Sequence, residues 1–452
     1  MQKENELAVK PVGRLLLQLA FPAIVAQLVN VLYNMVDRMY IGHIPEVGAA
    51  ALTGLGVTMP VILLVSAFAA LVSMGGAPRA AIMMGRGKNE DAERILGNCA
   101  AALIVMAAVL TALILLFGQK ALLLFGASAD TIGYAWDYLS LYAVGTVAVQ
   151  LTLGLNAFIT TQGFSRISML TVIIGAVCNI ALDPLFIFVF GMGVRGAALA
   201  TILSQSVSAV WVIRFLMGKK TLLRLRLSRM RIEPKVYLPC MALGLAPFVM
   251  QFTESVLFVS FNASLLKYGG DLAVGSMTIL SSVMQFALLP LLGFTQGSQP
   301  IISYNYGAGS RQRVFGTYRL LLIICLSYSM TVWAAAMIAP QMFARMFTAD
   351  EALIEAVRRH LRIYMGATGL FGLQLGCQQT FVSMGNAKTS LFLALLRKIF
   401  LLIPLIFILP LLMHNKVDAV LWAEPISDLI AVAVSTTLSL RSMRRYLWDG
   451  KA

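Results

Sequence analysis

Long apolar runs separated by short polar stretches set the pattern of this chain. A helix needs about 20 mostly apolar residues to cross a bilayer. By that rule spans are expected near 15–40, 49–74, 95–117, 133–159, 168–190 and 194–217. A basic stretch follows, and then spans near 238–262, 273–299, 317–340, 361–384, 390–412 and 418–440. Prolines interrupt several of these runs, at Pro22, Pro60, Pro184, Pro247, Pro290, Pro404 and Pro425. Membrane helices tolerate such prolines because neighbouring groups satisfy the freed carbonyls, so each marks a candidate kink.

The runs fall into two similar sets. GGAPRAAIMMGRG (75–87) and QGSQPIISYNYGAG (296–309) both carry Gly, then Pro, then a Gly-rich loop, about 222 positions apart. TTQGFSR (160–166) and VSMGNAK (382–388) repeat at the same offset, and LAFP (19–22) and GLAP (244–247) at about 225. Six spans per half keep both halves in the same orientation, so the repeats are parallel, related by an axis along the membrane normal. The expected organisation is an amino-terminal six-helix lobe over 1–217 and a basic cytoplasmic linker over 218–236. A carboxy-terminal lobe over 237–440 and a basic tail over 441–452 complete it.

Composition narrows the class. The 452 residues are 59% hydrophobic and 12% charged, where a soluble domain carries roughly a quarter charged residues. The formal charge of +15 would suggest nucleic acid in a soluble protein. Here the positives gather in the loops 79–94, 218–235 and 310–319 and in the tail, while 42–48 and 268–271 have none. Positive residues favour the cytoplasmic side, so both termini are expected there. The segment 344–360, mixed in charge, falls on the opposite side and weakens the asymmetry. The first span is expected to be retained as an anchor. The five cysteines all lie in expected spans without a CxxC pair and read as small apolar residues.

Several polar residues interrupt the spans, and an intramembrane ionisable group is a functional candidate by default. Asn30, Asn34 and Asp37 lie in VNVLYNMVDRMY, and Asn179 and Asp183 in CNIALDPLFIF share one helix face at i and i+4. With Thr201 these oxygens suit a hard monovalent cation, and a carboxylate can equally carry a proton. Asp37 beside Arg38 reads alternatively as an interfacial ion pair, and Asn179 as a hydrogen-bond link between helices. In the second half Glu254 sits in QFTESVLFVSFN, and Glu424 and Asp428 in WAEPISDLI, where they could attract a cationic substrate. Alternatively, they pair with Arg397 and Lys398 of LALLRKIFLLIP. Gln251, Gln374 and Gln378 are softer substrate-contact candidates. The chain has no GxxxxGK[ST] or HExxH motif and no Cys/His cluster, so neither a built-in ATPase nor a metal enzyme is indicated. Transport would run on an ion gradient, and no cofactor is expected.

YNMVDRMYIG (33–42), NIALDPLFIF (179–188), QPIISYNYGAG (299–309) and AEPISD (423–428) together resemble the MATE multidrug and toxic-compound exporters, in particular their MepA-like bacterial branch. The resemblance runs from about residue 14 to 440. It implies an all-α integral membrane protein with twelve transmembrane helices in two pseudo-symmetric six-helix bundles, opening as a V. It also implies exchange of H⁺ or Na⁺ for lipophilic and cationic compounds by alternating access. In such proteins an amino-lobe cation site takes an Asp of helix one, an Asn and an Asp of helix five and a Thr of helix six. These match Asp37, Asn179, Asp183 and Thr201, with Asn34 nearby, and Na⁺ would bind there if it is the coupling ion. A helix-seven Glu of some members matches Glu254. An acid carried by helix ten in some members has only glutamines opposite it here, in GLFGLQLGCQQTF (369–381). Small-molecule substrates and the lipid bilayer are thus the expected partners, with no nucleic acid, a monomeric state and residence in a bacterial cytoplasmic membrane. The competing function is a lipid-linked oligosaccharide flippase of the same superfamily, which would need a cationic cleft.

Overall fold

The computed structural model describes residues 6–348 and 350–449; the extreme ends of the expected amino-terminal lobe and basic tail, and residue 349 within the mixed segment 344–360, lie outside the described residues. Among the described residues every regular element is helical. Two compact units emerge, one from Phe21 to Phe248 and the other from Val249 onward together with the chain up to Ala20.

The first unit holds most of α2 (Val12–Gly42), then α3 (Gly48–Gly85), α4 (Asn89–Leu124), α5 (Ile132–Thr161), α6 (Ser165–Pro184) and α7 (Gly193–Met217). It also takes the first turns of α8 (Pro234–Gly307), a long element broken at Gly270. The second unit contains the short α1 (Glu6–Val9), the rest of α8, then α9 (Arg311–Ile338), α10 (Pro340–Arg345), α11 (Glu351–Tyr364), α12 (Thr368–Ser383), α13 (Ala387–Leu395), α14 (Ile403–Leu412) and α15 (Lys416–Asp449). Among the described residues, ten helices are long and apolar enough to cross a bilayer. The tenth expected span, 361–384, is instead divided between the end of α11 and α12, because the chain turns at Met365–Ala367. The twelfth is α15, whose acids lower its hydropathy.

The start of α8 falls in the first unit for a packing reason. Gly75 and Gly244 lie where α3 and the start of α8 nearly touch: a Cβ on Gly244 would fall 1.7 Å from the Leu71 carbonyl oxygen, and one on Gly75 1.9 Å from that of Cys240. Only small residues allow helices this close, and van der Waals contact is what joins helices in lipid. The second unit repeats the device, with Gly297 against the backbone of Ala20. There Leu7, Leu15, Leu16 and Leu19 pack with Ile301, while Asn305 and Arg313 donate to the Leu7 carbonyl at 3.0 Å. LAFP and GLAP, the repeated segments, thus sit where each half's first helix passes from one unit to the other.

The other repeats also correspond in backbone. Gly87 and Gly309 turn the chain at φ +76° and +73°, and Gly163 and Gly385 at +91° and +78°. That left-handed conformation is nearly free for glycine and costly for other residues. Each half also carries one π-helical segment, Leu185–Val189 after Pro184 and Leu396–Leu402 before Pro404. Proline lacks the N–H that would bond the carbonyl four residues back, and the wider π turn accommodates the break.

Candidate functional site

Asp183 closes α6 with its side chain wholly buried, and Asp37 on α2 is 7% exposed. The two carboxyl groups are close enough to interact across the two helices. Asn179, one turn before Asp183, donates its amide to Asp183 Oδ1 at 3.2 Å and reaches Thr201 Oγ1 of α7 at 3.5 Å. Tyr138 of α5 lies near the same Thr201 side chain. The remaining oxygens have no donor: Asp37 Oδ1, Asn179 Oδ1 and Asp183 Oδ2 are all buried without a hydrogen-bond partner.

Buried acceptors of this kind are normally satisfied, and a charged one is costly to leave bare. Two neighbouring carboxylates, each with one donorless oxygen, and a donorless amide oxygen make a cluster that wants positive charge. A proton shared by the acids or a hard cation bound by the oxygens would supply it. Beside the cluster lies a small cavity of about 40 Å³, bounded by Asn30, Tyr33, Asn179, Thr201 and Gln205 together with apolar Leu153 and Val172.

A different balance holds in the second unit. The π turn at Leu396–Leu402 places consecutive residues Arg397 and Lys398 both in the interior. Arg397 donates through Nε to Asp428 Oδ1 at 2.6 Å and through its terminal nitrogen to Glu424 Oε1 at 2.7 Å. Its guanidinium lies 4.5 Å from the centre of the Phe371 ring. Lys398 pairs with Glu254 and donates to the Met250 carbonyl at 2.9 Å. Three acids thus face two bases, leaving one formal negative charge. The Glu254 side chain is 64% exposed while that of Lys398 is 3% exposed, so the Glu254 carboxylate is the accessible edge of the network.

Comparison with known proteins identifies the scaffold. The MatE family model matches residues 22–185 and 247–408, well over half of the chain and one block per half. The chain belongs to this family. The MATE family comprises membrane transporters, not enzymes. Among curated relatives, the multidrug export protein MepA of Staphylococcus aureus (strain NCTC 8325 / PS 47) is 23% identical over 437 residues, covering 94% of this chain and 93% of its own. That of Staphylococcus haemolyticus (strain JCSC1435) is 22% identical over 429 residues, with the same coverage. A crystal structure of a MATE protein in the bent conformation superposes with a TM-score of 0.92 at 20% identity, covering 98% of each chain. A MOP-superfamily transporter from Pyrococcus furiosus, described as having a binding pocket of reversed polarity, gives 0.90 at 21% identity and covers 98% of this chain and 99% of its own. The MATE fold, all-α with twelve helical segments in two six-helix bundles, is therefore the fold of this chain.

Of the residues singled out in the sequence, Asp37, Asn179, Asp183 and Thr201 come together. Asn34 turns its amide to the Asn30 carbonyl of its own helix at 2.7 Å. Asp37 forms no ion pair with Arg38, whose guanidinium instead points at Met59 Sδ, 3.5 Å away. Glu254, Glu424 and Asp428 come together through the two bases. Gln378 donates to Met250 Sδ at 3.0 Å, Gln374 is buried with its amide oxygen unpartnered, and Gln251 is half-buried. Tyr33 and Tyr138, neighbours of the acid pair, escaped the sequence reading, since an isolated tyrosine in an apolar run carries no signal of its own.

Proposed function

We propose that this MATE-family protein is a secondary active exporter that exchanges H⁺ or Na⁺ for lipophilic, often cationic compounds. The observation that carries the reading is the buried pair Asp37–Asp183 with three donorless oxygens. The coupling ion binds at Asp37, Asn179, Asp183 and Thr201, with Asn34 flanking the site. Its arrival favours the conformation that releases substrate, and because ion and substrate prefer different states, one gradient drives the other. The MepA relatives, named as multidrug export proteins, support the substrate class.

Substrate attraction belongs to the second unit. Glu254, Glu424 and Asp428 exceed Arg397 and Lys398 by one charge, and a lipophilic cation would meet Glu254 first, with Gln251, Gln374 and Gln378 nearby. In this reading the protein works as a monomer in a bacterial cytoplasmic membrane with both termini cytoplasmic, the basic loops giving the orientation. A lipid-linked oligosaccharide flippase would use Arg397 and Lys398 for its pyrophosphate. That reading is disfavoured because both bases are already neutralised by acids.

The deciding experiment is ethidium movement in proteoliposomes with Na⁺ and pH gradients imposed together, then dissipated one at a time. Uphill movement that collapses with one gradient names the ion. No movement of ethidium or several other dyes would sink the exporter reading and call for a lipid-scrambling assay.

A further inference from the structure

The stretch between α7 and α8 is held in place, and what it presents outward has no explanation in ion or drug exchange. Three donors converge on one oxygen, Gln162 Oε1: the backbone N–H groups of Leu222 and Leu223, each at 2.8 Å, and the Thr221 hydroxyl at 2.7 Å. Leu225 N–H bonds the Leu216 carbonyl at 2.9 Å, and Arg229 reaches Glu93 at 2.9 Å. Pinned in this way, the chain alternates. Thr221, Leu223 and Leu225 face inward, while Leu222, Arg224 and Arg226 face outward.

The outward face mixes cations with apolar side chains. Leu222 and Leu227 are 50% and 78% exposed, beside exposed Lys219, Lys220, Arg224 and Arg231. Arg226 and Arg229 pair with Glu93, whereas Arg214, Lys219, Lys220, Arg224 and Arg231 make no ion pair among the described residues. The last two turns of α7 adjoin this surface. Val210, Ile213, Arg214 and Met217, spaced i, i+3, i+4 and i+7 on one strip, line with Gly218 an open groove of about 400 Å³. The groove is apolar except for Arg214, and Lys219 and Lys220 follow directly where the helix ends.

We propose that this groove and the adjoining bases bind an anionic phospholipid from the surrounding leaflet. One acyl chain lies along Val210, Ile213 and Met217, and the headgroup phosphate meets Arg214, Lys219 and Lys220. Charge complementarity decides the occupant. A zwitterionic lipid would fill the groove, but its own ammonium would oppose the three cations around the phosphate, and a nucleic acid or acidic protein would use the cations and leave the groove exposed. Exposed leucines flanked by bases are satisfied together only at a bilayer interface, where the apolar parts enter the acyl boundary and the charges meet headgroups. The site would tie the connection between α7 and α8 to the lipid composition of the membrane.

The test uses the purified full-length chain, delipidated in detergent and titrated with dioleoyl phosphatidylglycerol or dioleoyl phosphatidylcholine by native mass spectrometry. Phosphatidylglycerol should bind at least about tenfold more tightly. Each base near an anionic surface contributes about fivefold, so the combined variant Arg214→Gln, Lys219→Gln, Lys220→Gln should weaken it by about a hundredfold. Phosphatidylcholine binding should stay unchanged, which also reports that the variant is folded. Val210→Trp, which fills the groove, should weaken both lipids. Equal affinity of the wild type for the two lipids, or undiminished phosphatidylglycerol binding by the triple variant, would overturn the proposal. So would displacement of the lipid by millimolar inorganic phosphate, because the groove would then contribute nothing.

Discussion

Asp183→Asn should make the protein more stable while it loses coupled transport. Asp183 is wholly buried and Asp37 nearly so, and no donor reaches Asp183 Oδ2 or Asp37 Oδ1. Two unit charges about 4 Å apart repel by about 4 kcal/mol at an effective dielectric constant of about 20. The substitution keeps the shape, removes one charge and places an amide donor beside Asp37. Relaxation of the surroundings offsets part of the repulsion, so the expected gain is about 1–3 kcal/mol at pH 8 in sodium-free Tris. Thermal unfolding of the purified protein in detergent reads this as a rise in Tm that shrinks toward pH 5. A coupling ion at about 100 times its Kd should stabilise the wild type by about 2.7 kcal/mol, and the variant hardly at all. A lower Tm for Asp183→Asn at pH 8 without the ion, or equal stabilisation of both proteins by the ion, would contradict the assignment of the acid pair as the ion site.

Further consequences can be checked in the same preparations. Arg397→Gln strands two buried carboxylates and should cost about 3–5 kcal/mol; adding Glu424→Gln and Asp428→Asn should restore most of it, and no rescue would deny the ion pairs that stabilising role. Glu424→Gln alone should weaken organic-cation binding more than ion binding, measured by dye titration against Na⁺ or proton titration; unaltered cation affinity would leave Glu424 only its pairing role with Arg397. Gln162→Leu removes the shared acceptor of three donors, two of them buried, and should cost about 1–3 kcal/mol, read as faster hydrogen exchange over 218–233; unchanged exchange there would show that the linker is held by other contacts. His360 on α11 is half-buried, with Nδ1 2.8 Å from the Ser276 hydroxyl, and burial holds its imidazole below the usual range. Its neutral form is the folded one, so its contribution is complete above about pH 6.5 and is lost as pH falls through the lower folded value. His360→Gln should flatten that acid-side decline in stability, and an unchanged slope would contradict it.

Much was legible in the chain itself, because a bilayer imposes its demands locally. Each crossing helix must be long and apolar in its own right, so the runs announced their spans, and a buried acid in such a run announced itself by its cost. Asn179 and Asp183 could be placed on one face from spacing alone, and the matched glycines of the two halves could be paired by offset. The tenth span was legible as an apolar run but not as a broken one, since nothing in YMGAT (364–368) forbids a continuous helix. Whether Arg397 met Glu424 and Asp428 or left them to a substrate was open in sequence. Tertiary packing decided it, because the residues lie about 30 positions apart and meet through a π turn. The same holds for the approach of Asp37 to Asp183, brought together from α2 and α6, and for the linker, whose basic sequence reads as solvated loop until Gln162 gathers its backbone. Sequence determined which groups had to be buried; packing between helices alone determined which of them would be left without a partner.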